Sequence, residues 1–180
     1  MEPIPTAYLI FLDTEFTGLD QAKPDLISIG LVDESGREFY AELPESHWTV
    51  QCNEWVHFNV LPHLWHGKYE QCKASIAESL AVWIESVPEK AVIVTDFAEA
   101  DFFKQLKPLL TRWPRNLNTW PLEFSVLSFD EDKQSKLQQI KDIYYNQGNP
   151  RHHALHDARA LKLATNYALG HGWKPTLRNS

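Results

Sequence analysis

At 180 residues, with 43% apolar and 23% charged side chains, the chain has the size and composition of one ordinary globular domain. A formal charge of −7 excludes a broad basic coat for non-specific nucleic-acid binding, but not an enzyme whose acids hold cations. The two cysteines lack CxxC spacing, which excludes a zinc or redox pair of that kind, and Cys52 and Cys72 are expected to be reduced and buried. No apolar run approaches the ~18 residues of a membrane span, and no charged segment leads into one as in a signal peptide. The expected location is the cytosol.

After a polar lead at residues 1–6, residues 8–13 are apolar on both faces, the pattern of a central strand covered by helices. The run ends in Asp13-Thr14-Glu15. Strand alternation puts Asp13 and Glu15 on one face and Thr14 on the other. Two carboxylates in one small volume repel, and one is driven towards neutrality unless a cation keeps both charged. Mg²⁺ and Mn²⁺ take oxygen ligands of this kind. Residues 26–32 and 37–43 read as two more strands about the turn Asp33-Glu34-Ser35-Gly36, completing an antiparallel meander.

Asn53 is placed to cap a short helix from Glu54 that stops at Pro62, with Trp55, Phe58 and Leu61 spaced to face inward. A longer helix begins near Tyr69, because Ile76, Leu80, Trp83, Ile84 and Val87 repeat with helical period, and Pro88 ends it. Residues 91–95 form a fourth strand, and residues 98–110 a helix with Phe102, Leu106 and Leu109 inside. Helix, strand, helix is a crossover unit, so that strand runs parallel to a neighbour. Residues 117–124 hold a fifth strand, residues 131–145 an amphipathic helix, and Gly148-Asn149-Pro150 a break. A last helix runs from near Leu155 to Gly170, with Leu161, Ala164 and Ala168 inside, and residues 171–180 form a polar tail. The expected fold is α/β: a mixed five-stranded sheet, three strands antiparallel and two parallel, flanked by helices. It forms one domain over residues 1–180 with a core at about 7–170.

Two later stretches add chemistry. Asp157 falls in the first turn of the last helix, where the macrodipole favours a carboxylate. His152 lies five residues earlier in a loop, and an imidazole beside an attacking water suits a general base. Asp96 and Asp101 stand where the fourth strand passes into its helix, at the carboxyl edge where open α/β sheets place their sites.

Asp13-Thr14-Glu15-Phe16-Thr17-Gly18-Leu19, an Asp after the fourth strand, and His152 five residues before Asp157 together resemble the DEDDh exonucleases, a 3′-to-5′ family of RNase H-like fold. In that family the third acid opens the helix, with a polar residue five positions earlier; Asp101 fits the acid and Asp96 the polar position. The chain departs from the pattern in having Asp96 where His or Asn is usual, and Ala100 where an aromatic is usual. Residues 54–62 look like an element of a small bacterial exoribonuclease-like subgroup. The resemblance implies two divalent ions, Mg²⁺ or Mn²⁺. Asp13 would bridge both, Glu15 and Asp157 would hold the one activating water, and Asp101 would help to hold the other. His152 would be the base, and Thr17, Gly18 and Leu19 would contact the last nucleotide, with Gly18 allowing close backbone approach. The implied substrate is the 3′ end of single-stranded nucleic acid, RNA favoured over DNA, released as nucleoside 5′-monophosphates. The rivals are a DNA exonuclease of the same family and a catalytically silent binding module. Related enzymes can be homodimers, though no heptad seam stands in this sequence.

Other residues have plainer readings. His47, His57, His63 and His66 lack the acid or thiol that would complete a zinc site. His153 and His156 are expected to face solvent or substrate. Trp113 and Trp120, in an irregular stretch, are the stacking candidates among the tryptophans, and Arg151, Arg159 and Lys162 are candidates for phosphate contact.

Overall fold

The computed structural model describes residues 7–173; the polar lead, and residues 174–180 of the expected tail, lie outside them. Five strands form one mixed sheet: β1 (Tyr8–Phe16), β2 (Leu26–Asp33), β3 (Glu38–Glu42), β4 (Ala91–Thr95) and β5 (Leu122–Glu123), in the order β3-β2-β1-β4-β5. β1 to β3 are antiparallel, while β4 runs parallel to β1 and β5 parallel to β4. This is the α/β, RNase H-like arrangement expected of the sequence. The fifth strand is shorter than its apolar run suggested, because Leu117 makes only an isolated bridge to Ala91 before the chain leaves the sheet.

Helices cover both faces, which explains why β1 is apolar on both. Ile10 and Leu12 pack against Ile76, Leu80 and Ile84 of α2 (Lys73–Glu85), and against Phe102 and Leu106 of a π-helix, Glu99–Leu106, that ends in the turn α3 (Lys107–Leu109). Phe11 packs on the opposite face with Leu137 of α4 (Glu131–Tyr145) and with Ala158, Leu161, Ala164 and Ala168 of α5 (Ala154–Gly170). By strand parity Asp13 and Glu15 continue the Phe11 side. The start of the α5 helix sits unusually close to the sheet there. A Cβ on Gly30, the register partner of Asp13, would fall 2.2 Å from Leu155 N and 2.3 Å from Ala154 C. Glycine in this strand lets backbone meet backbone, and so brings the first turn of α5 down beside Asp13.

Several expectations are corrected. Asn53 does cap α1 (Glu54–Asn59), accepting from Val56 N at 2.9 Å. The buried side of that helix, however, is Val56 and Val60, and Trp55 and Phe58 are 51% and 68% exposed. α2 starts at Lys73 rather than Tyr69, because Glu70 and Gln71 are drawn into bridging Glu42. Cys72 is exposed and Cys52 half-buried, both as free thiols. Trp113 is partly buried and packs against the core, whereas Trp120, edge-on to Phe103, stays 63% exposed. His171 stacks on Tyr167 and Trp173 packs against the α5 layer, so the first residues of the expected tail are part of the fold.

Candidate active site

The carboxyl end of β1 opens into a cleft of about 540 Å³. Three elements deliver acids to it. β1 supplies Asp13 and Glu15, the first turn of α5 supplies Asp157 from one face of the sheet, and the π-helix supplies Asp101 from the other. π-helical turns inside longer helices recur at functional sites, because the wider turn redirects a side chain. The ligand atoms fall into two groups, Glu15 with His152 and Asp157, and Asp13 with Asp96 and Asp101. Within each, the atoms lie within 4.8 Å of one another.

Each acid is held by neighbours. Asp101 is 4% exposed and accepts from the hydroxyls of Thr14 at 2.7 Å and Thr95 at 2.6 Å. Asp157 accepts from the backbone N–H of His152 at 2.8 Å and from the Tyr145 hydroxyl at 2.5 Å. Asp96, at the rim, pairs with Lys141 at 3.0 Å. His152 has a left-handed backbone, φ 58°, and its ring meets the edge of Trp55 at 4.7 Å between centroids.

A family model for exonucleases, RNase_T, matches residues 10–164, and no curated protein matches the chain. The chain belongs to the exonuclease family. It is therefore a metal-dependent nuclease that hydrolyses nucleic acid, and the acids of this exonuclease are fit to hold a divalent ion: hard oxygen donors crowded more tightly than their charges tolerate alone.

Burial, then the charges of Asp101, Asp157, Glu15 and Asp96, drive the Asp13 carboxyl well above its ordinary pKa. Burial and then Asp157 do the same to Glu15. Burial and Asp96 push Asp101 up to about 7 against the opposing hydroxyls of Thr95 and Thr14. Asp157 reaches about 6, raised by burial and held back by Tyr145 and the His152 N–H. A carboxyl whose folded pKa is raised binds more protons folded than unfolded, so its stabilisation is full at low pH and lost as pH rises through the folded pKa. His152, His153 and His156 are all lowered, first by burial, and act in the opposite sense, but only below about pH 6.5, where unfolded histidine charges. In chelator, the melting temperature should fall as the pH rises from about 6.5 through about 7, the value to which the Asp101 carboxyl is pushed, and Mg²⁺ or Mn²⁺ should remove the fall. A flat profile in chelator would show that the acids are not coupled through the fold.

Of the candidate substrate contacts, Gly18 and Leu19 line the cleft and Thr17 does not. Thr17 is fully buried; its hydroxyl bonds Gln21 and accepts from Asp25 N, and its carbonyl accepts from Asn53 N. It stitches the β1–β2 loop from beneath. A Cβ on Gly18 would fall 2.6 Å from Asp20 Oδ1 and 2.8 Å from Asn53 Nδ2, so glycine lets that hydrogen-bonded pair close over the loop.

Sequence reasoning missed Tyr145, Thr14, Thr95, Lys141 and Trp55. Tyr145, Thr95 and Lys141 meet the acids, and Trp55 the cleft, only through tertiary packing, which no spacing signals. Other candidates are enclosed or already have partners. His153 is fully buried, stacked on Tyr40 and against Trp65, and His156 meets the Tyr144 hydroxyl at 2.7 Å. Arg159 is held by Glu38, Arg151 by Asp142, and Lys162 by the Asp33 carbonyl. Away from the cleft, Glu42, His66 and Glu70 also cluster, but the Glu42 oxygens are taken by Tyr40 and by the N–H groups of Trp65 and His66. No described helix is long and apolar enough to cross a membrane.

Proposed function

We propose that this exonuclease works from the 3′ end of single-stranded RNA and releases nucleoside 5′-monophosphates, with the catalytic core at about residues 7–170. The observation that carries the reading is the meeting of Glu15, His152 and Asp157 with Asp13, Asp96 and Asp101 in one cleft. Glu15 and Asp157 would hold one ion beside His152, Asp101 the other, with Asp13 shared between them. Two divalent ions so held neutralise charge on the attacking and leaving oxygens of an in-line displacement at phosphorus.

The side chains do the remainder. His152 takes the proton of the attacking water. Burial, followed by the charges of Arg151 and His63, lowers its pKa, so it is a free base at neutral pH. The bond from its own N–H to Asp157 ties the base to a ligand, so the two are positioned together. Leu19, 73% exposed, and Trp55 present apolar surface in the cleft on which the last base stacks. Lys141 offsets the fifth acid, Asp96, leaving Asp101 as the buried ligand. The preference for RNA is supported by the likeness of residues 54–62 to the exoribonuclease-like subgroup.

Tyr145 orients Asp157 from behind. Removing such an outer hydrogen bond typically costs about 10–100-fold in metal affinity or activity. Tyr145→Phe keeps the ring against Arg151, so Mn²⁺ affinity by calorimetry should fall by about tenfold or more with little change in melting temperature. An unchanged affinity would assign Tyr145 to packing alone.

The function is tested with matched 3′-labelled RNA and DNA oligomers in Mg²⁺ or Mn²⁺, with Asp13→Asn as control. Release of the labelled mononucleotide from RNA as the first product is the expected result. Faster release from DNA would overturn the RNA preference, and no turnover of either, without metal binding, would leave a binding module.

A further inference from the structure

Asp96 stands between two cavities. It lines the catalytic cleft and an adjoining cavity of about 600 Å³, whereas Lys141 of α4 lines the second and not the first. Its Oδ2 accepts from the Lys141 ammonium at 3.0 Å. The π-helix that follows carries no side-chain cap, so capping does not account for the acid. A ligand atom of Asp96 also lies within 4.8 Å of those of Asp13 and Asp101. One carboxylate thus meets a fixed ammonium and two acids fit to hold a divalent ion.

Charge sets these two uses against each other. After burial, Asp96 is the group that most opposes ionisation of Asp101, and it raises Asp13, Glu15 and Asp157 as well. An acid so unfavourable to its neighbours is tolerated while a cation sits against it. In chelator that cation is the ammonium of Lys141, whose side chain is only 12% exposed. A divalent ion at Asp13 and Asp101 carries twice the charge and attracts the same carboxylate. Both oxygens of Asp101 already accept hydroxyls, from Thr14 and Thr95, so a third carboxylate adds a donor where this group is most committed. We infer that Asp96 is a further ligand of the ion held by Asp13 and Asp101, and that Lys141 competes with that ion for it. The pair sets how much metal the enzyme needs: Asp96 tightens the site and Lys141 loosens it. The inference rests on the metal-dependent reading above and deepens it.

Lys141→Met keeps an apolar stem and removes the ammonium, while Asp96→Asn keeps the shape and removes the charge. In calorimetric titration with Mn²⁺, Lys141→Met should bind the weaker ion about tenfold more tightly and Asp96→Asn about tenfold more weakly. If the unaltered protein takes up a single ion, a second should appear in Lys141→Met. Lys141 also lowers the Asp157 pKa, so its charge reaches the other group of ligands, and the double variant separates the two effects. In an Asp96→Asn background, Lys141→Met should gain less than about twofold. In chelator Lys141→Met should melt lower than the unaltered protein, and saturating Mn²⁺ should cancel the difference, which tells a counter-ion from a packing defect. Unchanged affinity in either variant, or weaker binding in Lys141→Met, would overturn the competition. The same gain with and without the Asp96 carboxylate would show that Asp96 is not the contested ligand. A protein that binds no Mn²⁺ would sink the metal-dependent reading along with this one, whereas bound ions that neither variant affects would sink this one alone.

Discussion

Asp13→Asn should abolish exonuclease activity and tight metal binding while making the chelated protein more stable than the unaltered one. Asp13 lies among Asp101, Asp157, Glu15 and Asp96, and its carboxyl is driven up by burial and by all four. An amide of nearly the same shape removes the repulsion and donates where an ion needs an acceptor. The turnover rate should drop by at least about 10³, equivalent to about 4 kcal/mol of barrier. In chelator each kcal/mol of relieved repulsion should raise the melting temperature by about 2–4 °C at this chain length. Calorimetric titration with Mn²⁺ and melting curves in chelator check both halves. Retained metal affinity would remove Asp13 from the ligand set, and a lowered melting temperature in chelator would mean that the cluster is not repulsive.

His152→Ala should reduce kcat by about 10²–10⁴, the usual worth of a positioned base, with metal affinity changed by less than about threefold. His152 is within 4.8 Å of Glu15 and Asp157, so metal affinity separates a base from a ligand: a parallel loss of both would make it a ligand. The left-handed backbone of His152 calls for a second variant. Asn accepts that conformation readily but cannot take the proton. His152→Asn should therefore be as slow as His152→Ala if the imidazole is the base, whereas recovery with Asn would assign the effect to the backbone. In the unaltered enzyme activity should fall below about pH 6.5 as His152 protonates, the limb lying beneath the ordinary histidine range because burial disfavours the charged ring.

How far such residues could be read in advance depended on how each reaches the cleft. Asp13 and Glu15 were legible because strand alternation is local, and the bounds of β4 and α4 because apolar period and breakers are local too. Trp55 was misread because helical period says which residues share a face, but not whether that face meets a core or a cleft. Thr17 was misread because a residue beside a site in sequence can be drawn beneath it by its own hydrogen bonds. His153 and His156 next to the base are polar by type, yet Tyr40, Trp65 and Tyr144 enclose them.

The amino-acid sequence by itself determined most of the elements, the mixed sheet and the pairing of Asp13 with Glu15 on one face at the end of β1, since periodicity and short motifs act over a few residues. Only the tertiary structure decided that Asp101 enters from one face of the sheet and Asp157 from the other. It also decided that Gly30 brings α5 down beside Asp13, and that Tyr145 and Lys141 join the acids from α4. These are meetings between distant segments, and their cause is packing around a shared core, where steric fit and the repulsion of buried carboxylates set which side chains end within reach of one ion.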